Sequence, residues 1–294
     1  MKCLKITAEC PLDKLSLERK TYYTDNKYGL KYGGRIMLKE RVKNKEKLIG
    51  MYVQLTDISI ARIAGLAGYD FVWVDTEHSY MSLETVLGHI MALKSTGTPV
   101  IVRVPQDDLT ATKKILEMGV DGIIFPMVRS AEEANRVIAS TLYPPYGNRG
   151  FGPMSAVDYG MKNVKEYIKN SPNECCRFIQ IEHKDTIECL DEIMQNPYID
   201  GYVFGPNDLS GSYNMLGEPF ADEITEIIRA TVDKLHTSDK YVAIASGGYS
   251  EEVIRHWHEL GADMLSAGAD FDFIRDGAVK NRINMEKIHK TGNI

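Results

Sequence analysis

The chain of 294 residues reads as a single (β/α)8 barrel, the TIM barrel fold, on three grounds. Eight short apolar runs, many of them β-branched, alternate with longer amphipathic segments over about 240 residues, the usual size of such a barrel. The runs are apolar almost throughout, as strands of a parallel sheet covered on both faces must be. The first run is followed by Thr56, Asp57 and Ile58 rather than by a GxGxxG phosphate-binding turn, which disfavours the rival doubly wound sheet.

The expected strands are LIGMYVQL (48–55), FVWVD (71–75), PVIVRV (99–104), GIIFPMV (122–128), CRFIQIE (176–182), GYVFG (201–205), YVAIAS (241–246) and MLSAGA (264–269). Helical patterns fill the spaces: ISIARIAGLAG, LETVLGHIMAL, DLTATKKILEMG, AEEANRVIAS, DTIECLDEIM, ADEITEIIRATVDKL and SEEVIRHWHELG. Three of them close on a glycine before the next strand, Gly68, Gly119 and Gly261, the usual signal of a helix C-terminus. The fourth and fifth strands are joined by YPPYGNRGFGPMSAVDYG (143–160), whose Pro and Gly content marks an irregular loop. A loop of this length in a compact domain is expected to be functional. Residues 1–40, polar and rich in Lys and Tyr, read as an extension of unknown role before a catalytic barrel domain at 41–294.

Charge and composition narrow the function. The net charge of −6, from 35 basic and 41 acidic residues, argues against nucleic acid or an anionic membrane as partner and leaves room for a small anionic substrate. Five cysteines (Cys3, Cys10, Cys175, Cys176 and Cys189), with no CxxC pair, suggest reduced thiols and a cytoplasmic protein. No apolar run is long enough for a signal peptide or a membrane span.

In a barrel enzyme the chemistry gathers where strands end. Five strand ends here carry polar residues: Asp75, followed by Glu77 and His78; Arg103; Gln180 with Glu182; Gly205, Pro206, Asn207 and Asp208; and Ser246 before Gly247 and Gly248. Glu182 and Asp208 end neighbouring strands, which lie roughly 4.8 Å apart, so their carboxylates can meet. Two hard oxygen donors suit Mg2+ or Mn2+ completed by water and substrate. Alternatively, Glu182 is a solvated strand-end acid and Asp208 the N-cap of the next helix. Asp75 can orient His78 as a general base, although an Asp that caps its turn beside a loop His is the simpler reading of that spacing. Arg103, inside an apolar strand, needs an anionic partner: a substrate or a structural carboxylate. No strand carries an internal Lys that burial could tune for imine chemistry, so carbonyl chemistry here would need a metal as its electron sink.

The motifs VDTEHSYM (74–81), VRVPQDD (102–108), IFPMVRSAEEA (124–134), YPPYGNRGFGP (143–153), IQIEH (179–183) and GPNDLSGS (205–212) together resemble the HpcH/HpaI aldolase family, in order along the chain. The resemblance implies a barrel of the phosphoenolpyruvate/pyruvate type and a metal-dependent (class II) aldolase. Such an enzyme cleaves a 4-hydroxy-2-oxo acid to pyruvate and an aldehyde. It further implies Glu182 and Asp208 as ligands of Mg2+ or Mn2+, with Co2+ a further candidate. His78 paired with Asp75 would be the acid–base dyad, and Arg103 would stabilise the pyruvate enolate. Gln180, Gly205, Pro206 and Asn207 would bind substrate, the backbone around them holding the pyruvate carboxylate. A homo-oligomer, a hexamer with its last helix exchanged between subunits, would be the assembly. Tyr52 stands where many members carry Trp, and PMSAVDYG departs from the stretch that in relatives lies near the substrate. Other carbon–carbon lyases on this scaffold, acting on an acyl-CoA thioester or on oxaloacetate, and a non-catalytic barrel are the alternatives.

Overall fold

A computed structural model of the protein describes residues 37–290. Among these, eight parallel strands close into a barrel in sequence order. They are β1 (Leu48–Val53), β2 (Phe71–Asp75), β3 (Val100–Arg103), β4 (Gly122–Phe125), β5 (Cys176–Ile181), β6 (Gly201–Phe204), β7 (Val242–Ser246) and β8 (Met264–Ala269). β1 pairs with both β2 and β8, which closes the ring. The helices are α1 (Leu38–Lys43), α2 (Ile58–Ala67), α3 (Leu83–Lys94), α4 (Leu109–Glu117), α5 (Ala131–Ala139), α6 (Val164–Glu174), α7 (Lys184–Glu188), α8 (Leu190–Ile193), α9 (Pro206–Ser212), α10 (Asp222–Thr237), α11 (Glu251–Glu259) and α12 (Asp270–Met285).

Strand alternation divides the apolar side chains into two layers. One set faces the helices, with Val72, Val74, Val100, Val102, Ile179 and Ile181 packed under α2 to α11. The other fills the lumen: Leu48, Phe71, Trp73, Ile101, Ile124, Phe178, Val203 and Met264. Leu38 and Val42 of α1 belong to this inner layer, so α1 plugs the end of the barrel where the strands begin. Lys39 of α1 is tied there by Asp200 and by the carbonyls of Pro172 and Cys175. Among the described residues Leu38, just before residue 41, already packs in the barrel; most of the extension expected at 1–40 lies outside the described residues.

Local signals place the helices. The side chains of Asp57, Ser82, Asp108, Ser130 and Ser250 accept a backbone N–H at the starts of α2, α3, α4, α5 and α11. Gly68, Gly119 and Gly261 adopt φ of 90°, 81° and 95°, the left-handed turn that ends a helix, as expected. DTIECLDEIM is not one helix; it breaks at Cys189 into α7 and α8. The long connection is also placed differently from expectation. Gly150 and Gly152 lie over Lys113 and Glu117, and Ala156 meets Gly119. The loop thus packs on the C-terminal half of α4, towards the strand starts and away from the strand ends of its own barrel. No helix among the described residues is long and apolar enough to cross a membrane.

Candidate active site

β2 and β3 pair with Asp75 beside Arg103 in register, so both side chains enter the lumen at one level. The guanidinium grips the carboxylate at two points, Nε to Oδ1 at 2.9 Å and Nη2 to Oδ2 at 2.6 Å. Both residues are buried, and the Arg103 fork lies 5.5 Å from the centre of the Trp73 ring. Burial acts to raise the Asp75 carboxyl, but the bonds and charge of Arg103 and the amides of Glu77 and His78 outweigh it and hold the carboxyl below its ordinary value. The third guanidinium nitrogen, Nη1, is 3.1 Å from Glu77 Oε2.

The expected His78–Asp75 side-chain dyad is not formed. Oδ1 of Asp75 accepts Arg103 Nε and the backbone N–H groups of Glu77 and His78; Oδ2 accepts Arg103 Nη2 and Gln54 Nε2, the last at 2.8 Å. A carboxylate offers about four lone-pair positions, so no acceptor is left for the imidazole. The His78 ring instead lies at the rim, its side chain 62% exposed, with Nε2 4.0 Å from Glu77 Oε2.

Glu182 follows β5 by one residue and is buried. Its Oε1 accepts the Met127 N–H at 2.6 Å and its Oε2 the Gln180 amide at 2.6 Å. Met127 presents that N–H from φ 54°, a left-handed conformation that costs a β-carbon-bearing residue about 1–3 kcal/mol. Burial pushes the Glu182 carboxyl up to about 8; Met127 and Arg103 oppose the rise, and the negative charges of Glu77 and Asp208 add to it. Glu77 is raised too, by burial first and by Asp75 and Asp208, against Arg103 and His78.

Asp208 stands exposed in the first turn of α9. It is not the N-cap; Gly205 is, without a side-chain bond. Its position therefore answers to no capping role. Gly205 donates its N–H to Ile181 O at 3.0 Å, and Pro206 has none to give, so the free donors of this turn are those of Asn207 and Asp208. Gly205 contributes space: a Cβ there would lie 2.7 Å from both Gln180 Nε2 and Glu182 Oε2.

The residues fit a hard divalent cation. Glu182, Asp208 and Glu77 place their charges against one another with one guanidinium nearby, and Gly205 packs directly against Glu182, where a side chain would collide with it. Among the described residues no three His, Cys, Asp or Glu side chains converge on one point, so an ion here would take Glu182 and Asp208 as its protein ligands and fill the rest of its coordination with water and substrate. Gln180 Oε1 is buried without a hydrogen-bonding partner in the same lumen, where the Tyr52 and Ser266 hydroxyls face each other. At the other end of the barrel, Cys175 precedes β5 and Cys176 starts it, both buried and with thiols pushed up by burial, Cys175 to about 11.

Three contributors were not assigned from sequence. Gln54 stands near the end of the first apolar run as Gln180 does in the fifth, a polar residue at an apolar strand end. Glu77 was overshadowed by its neighbours Asp75 and His78. The Met127 N–H is a backbone group, and no residue type announces it.

The sequence model of the HpcH/HpaI aldolase/citrate lyase family matches residues 48–271. A hydroxypyruvate/pyruvate aldolase of Pseudomonas aeruginosa is 31% identical over 232 residues, 79% of this chain and 86% of that protein. A 2-keto-3-deoxy-L-rhamnonate aldolase of Escherichia coli (strain K12) is 28% identical over 257 residues, 86% of this chain and 94% of its own length. The crystal structure of an HpcH/HpaI aldolase from Desulfitobacterium hafniense DCB-2 superposes with a TM-score of 0.79 at 25% identity, covering 85% of this chain and 97% of that one. With three quarters of its length matched and the barrel shared, the chain belongs to the HpcH/HpaI aldolase/citrate lyase family.

Proposed function

We propose that this protein is a divalent-metal-dependent aldolase that reversibly cleaves a 4-hydroxy-2-oxo acid to pyruvate and an aldehyde. The observation that carries this reading is the match to the aldolase family over residues 48–271, with buried Glu182 near Glu77 and Asp208 and the Asp75–Arg103 pair at the same strand ends. Glu182 and Asp208 would hold Mg2+ or Mn2+, with Co2+ a further candidate, and the ion would supply Lewis-acid polarisation of the 2-oxo group.

The chain's own groups take the remaining roles. Arg103, fixed by Asp75, holds positive charge where the enolate oxygen develops its negative charge. The N–H groups of Asn207 and Asp208 receive the pyruvate carboxylate, and Gly205 and Pro206 shape its seat. Gln180 steadies Glu182 through its amide. His78, reachable at the rim, takes the proton from the C4 hydroxyl in cleavage and returns it in synthesis. The absence of Lys from β1 to β8 is consistent with this division of labour, since no strand offers an imine-forming amine.

Homo-oligomerisation, with the hexamer as the expected form, completes the proposal. Phe271, Ile274, Val279 and Ile283 of α12 are 42–54% exposed, an apolar load that suits a helix exchanged with a second copy. The deciding experiment is pyruvate release from a panel of 4-hydroxy-2-oxo acids, before and after EDTA and with Mn2+ or Mg2+ restored. Release abolished by EDTA and rescued by the ion is expected. A folded protein that releases no pyruvate under any of these conditions would sink the reading, and malyl-CoA, citramalyl-CoA and oxaloacetate would then be assayed.

A further inference from the structure

We infer that Gln54 is a positioning residue of the reaction: its side-chain amide completes the set of donors that commits Asp75 to Arg103. This inference rests on the aldolase reading for its kinetic arm. Gln54 follows β1 directly, and its backbone N–H is held at 3.2 and 3.1 Å by the two carboxylate oxygens of Asp270. Leu55 N–H bonds the same carboxylate at 2.9 Å, and Asp270 is itself 2% exposed at the start of α12. The main chain of Gln54 is therefore pinned on one side. On the other, Nε2 donates to Asp75 Oδ2 at 2.8 Å and lies 3.5 Å from the His78 carbonyl.

Two consequences follow. First, Arg103 Nη2 and Gln54 Nε2 share Oδ2 from different directions, so the carboxylate cannot rotate without losing one of them. The guanidinium, bound at two points, inherits that orientation. Second, Oδ2 is the one oxygen of Asp75 without a backbone donor, and Gln54 occupies the place the His78 imidazole would need. Gln54 thus makes Asp75 the anchor of the cation and leaves proton transfer to a His78 free of it.

A double-mutant cycle tests this. Gln54→Met keeps the length of the side chain and removes the donor. In the wild-type background it should lower kcat about tenfold with little change in KM, the scale of a hydrogen bond to a charged group. In an Arg103→Lys background, where the two-point grip is already lost, it should cost almost nothing further. Gln54→Asn, one methylene short of Asp75, should behave the same and serves if Gln54→Met does not fold. The exchange rate of the Arg103 Nε–H, read by NMR, gives a second measure independent of turnover and should rise about tenfold in either variant.

Coupled loss in kcat together with faster exchange supports the assignment. Equal loss in both backgrounds, or unchanged kcat and unchanged exchange, overturns it. If the wild type cleaves no 4-hydroxy-2-oxo acid, the aldolase reading falls, and the Nε–H exchange alone decides whether Gln54 positions Arg103.

Discussion

Gly205→Ala isolates the geometry around Glu182. Gly205 is buried, and its backbone imposes no need for glycine, since its φ of −108° suits any residue. The constraint is spatial. An added Cβ would stand 2.7 Å from Gln180 Nε2, 2.7 Å from Glu182 Oε2 and 3.0 Å from Glu182 Cβ. Neither neighbour can step aside cheaply: Gln180 and Glu182 are 1% and 2% exposed and bonded to each other at 2.6 Å. Overpacking of this kind costs about 1–3 kcal/mol of stability. The larger effect should fall on function. A displacement of about 1 Å in a binding carboxylate can cost on the order of a hundredfold, so Mn2+ affinity and pyruvate release should both drop by that scale. Titration of Mn2+ by electron paramagnetic resonance, beside urea unfolding, separates the two. A folded Gly205→Ala protein with wild-type Mn2+ affinity would refute the assignment of Glu182 as a ligand at this gap.

Three further outcomes are expected. Arg103→Lys should lower kcat about a hundredfold, because a point charge replaces a fork held at two points; steady-state kinetics with unchanged kcat would remove Arg103 from the chemistry. Glu182 has its folded-state carboxyl raised from 4.5 to about 8, so the metal-free protein gains relative stability from it below about 4.5 and loses that gain as pH rises through about 8. Metal binding near neutral pH should accordingly release close to one proton, falling away above about 8, and calorimetry in buffers of different ionisation enthalpy would expose the contrary. Leu38→Ala should destabilise the fold by about 2–5 kcal/mol by leaving a hole in the barrel floor, while a cost below about 1 kcal/mol in urea titration would show that α1 is not part of the packed core.

The strands were legible because lumen and outer layer both demand apolar residues, which leaves long unbroken runs such as FVWVD and PVIVRV. The helix ends were legible because Gly68, Gly119 and Gly261 answer a backbone requirement that few residues can meet. The site was legible only as far as residue type goes. Asp75, Arg103, Glu182 and Asp208 are polar residues at apolar strand ends, and the register of β2 with β3 places the first two side by side. Which acceptor each donor takes was not legible, because it depends on side-chain directions across strands. The spacing of Asp75 and His78 allowed an imidazole–carboxylate pair, and in the fold Arg103 and Gln54 reach that carboxylate instead. The loop at 143–160 escaped for a related reason: its composition shows irregular backbone, but which face of α4 it covers depends on tertiary packing.

The charge inventory at the mouth argues for the metal more strongly than any single residue. Asp75 and Arg103 form a buried pair bonded at two points, which leaves the Nη1 edge of the guanidinium. Glu77, at 3.1 Å from Nη1, shares what remains of it. Among the described residues no ion pair reaches Glu182 or Asp208, and burial, with the charges of Glu77 and Asp208 adding to it, puts a cost on an ionised Glu182. A protein can relieve it by protonation, which makes Glu182 a neutral acid, or by a cation. Protonation alone would leave the Met127 N–H, aimed from a strained backbone, directed at a weakened acceptor. A divalent ion held as proposed would keep Glu182 ionised and leave the Met127 and Gln180 donors bonded to a carboxylate. The left-handed Met127 backbone aims its N–H at Glu182, which suits the carboxylate that the proposed metal role requires.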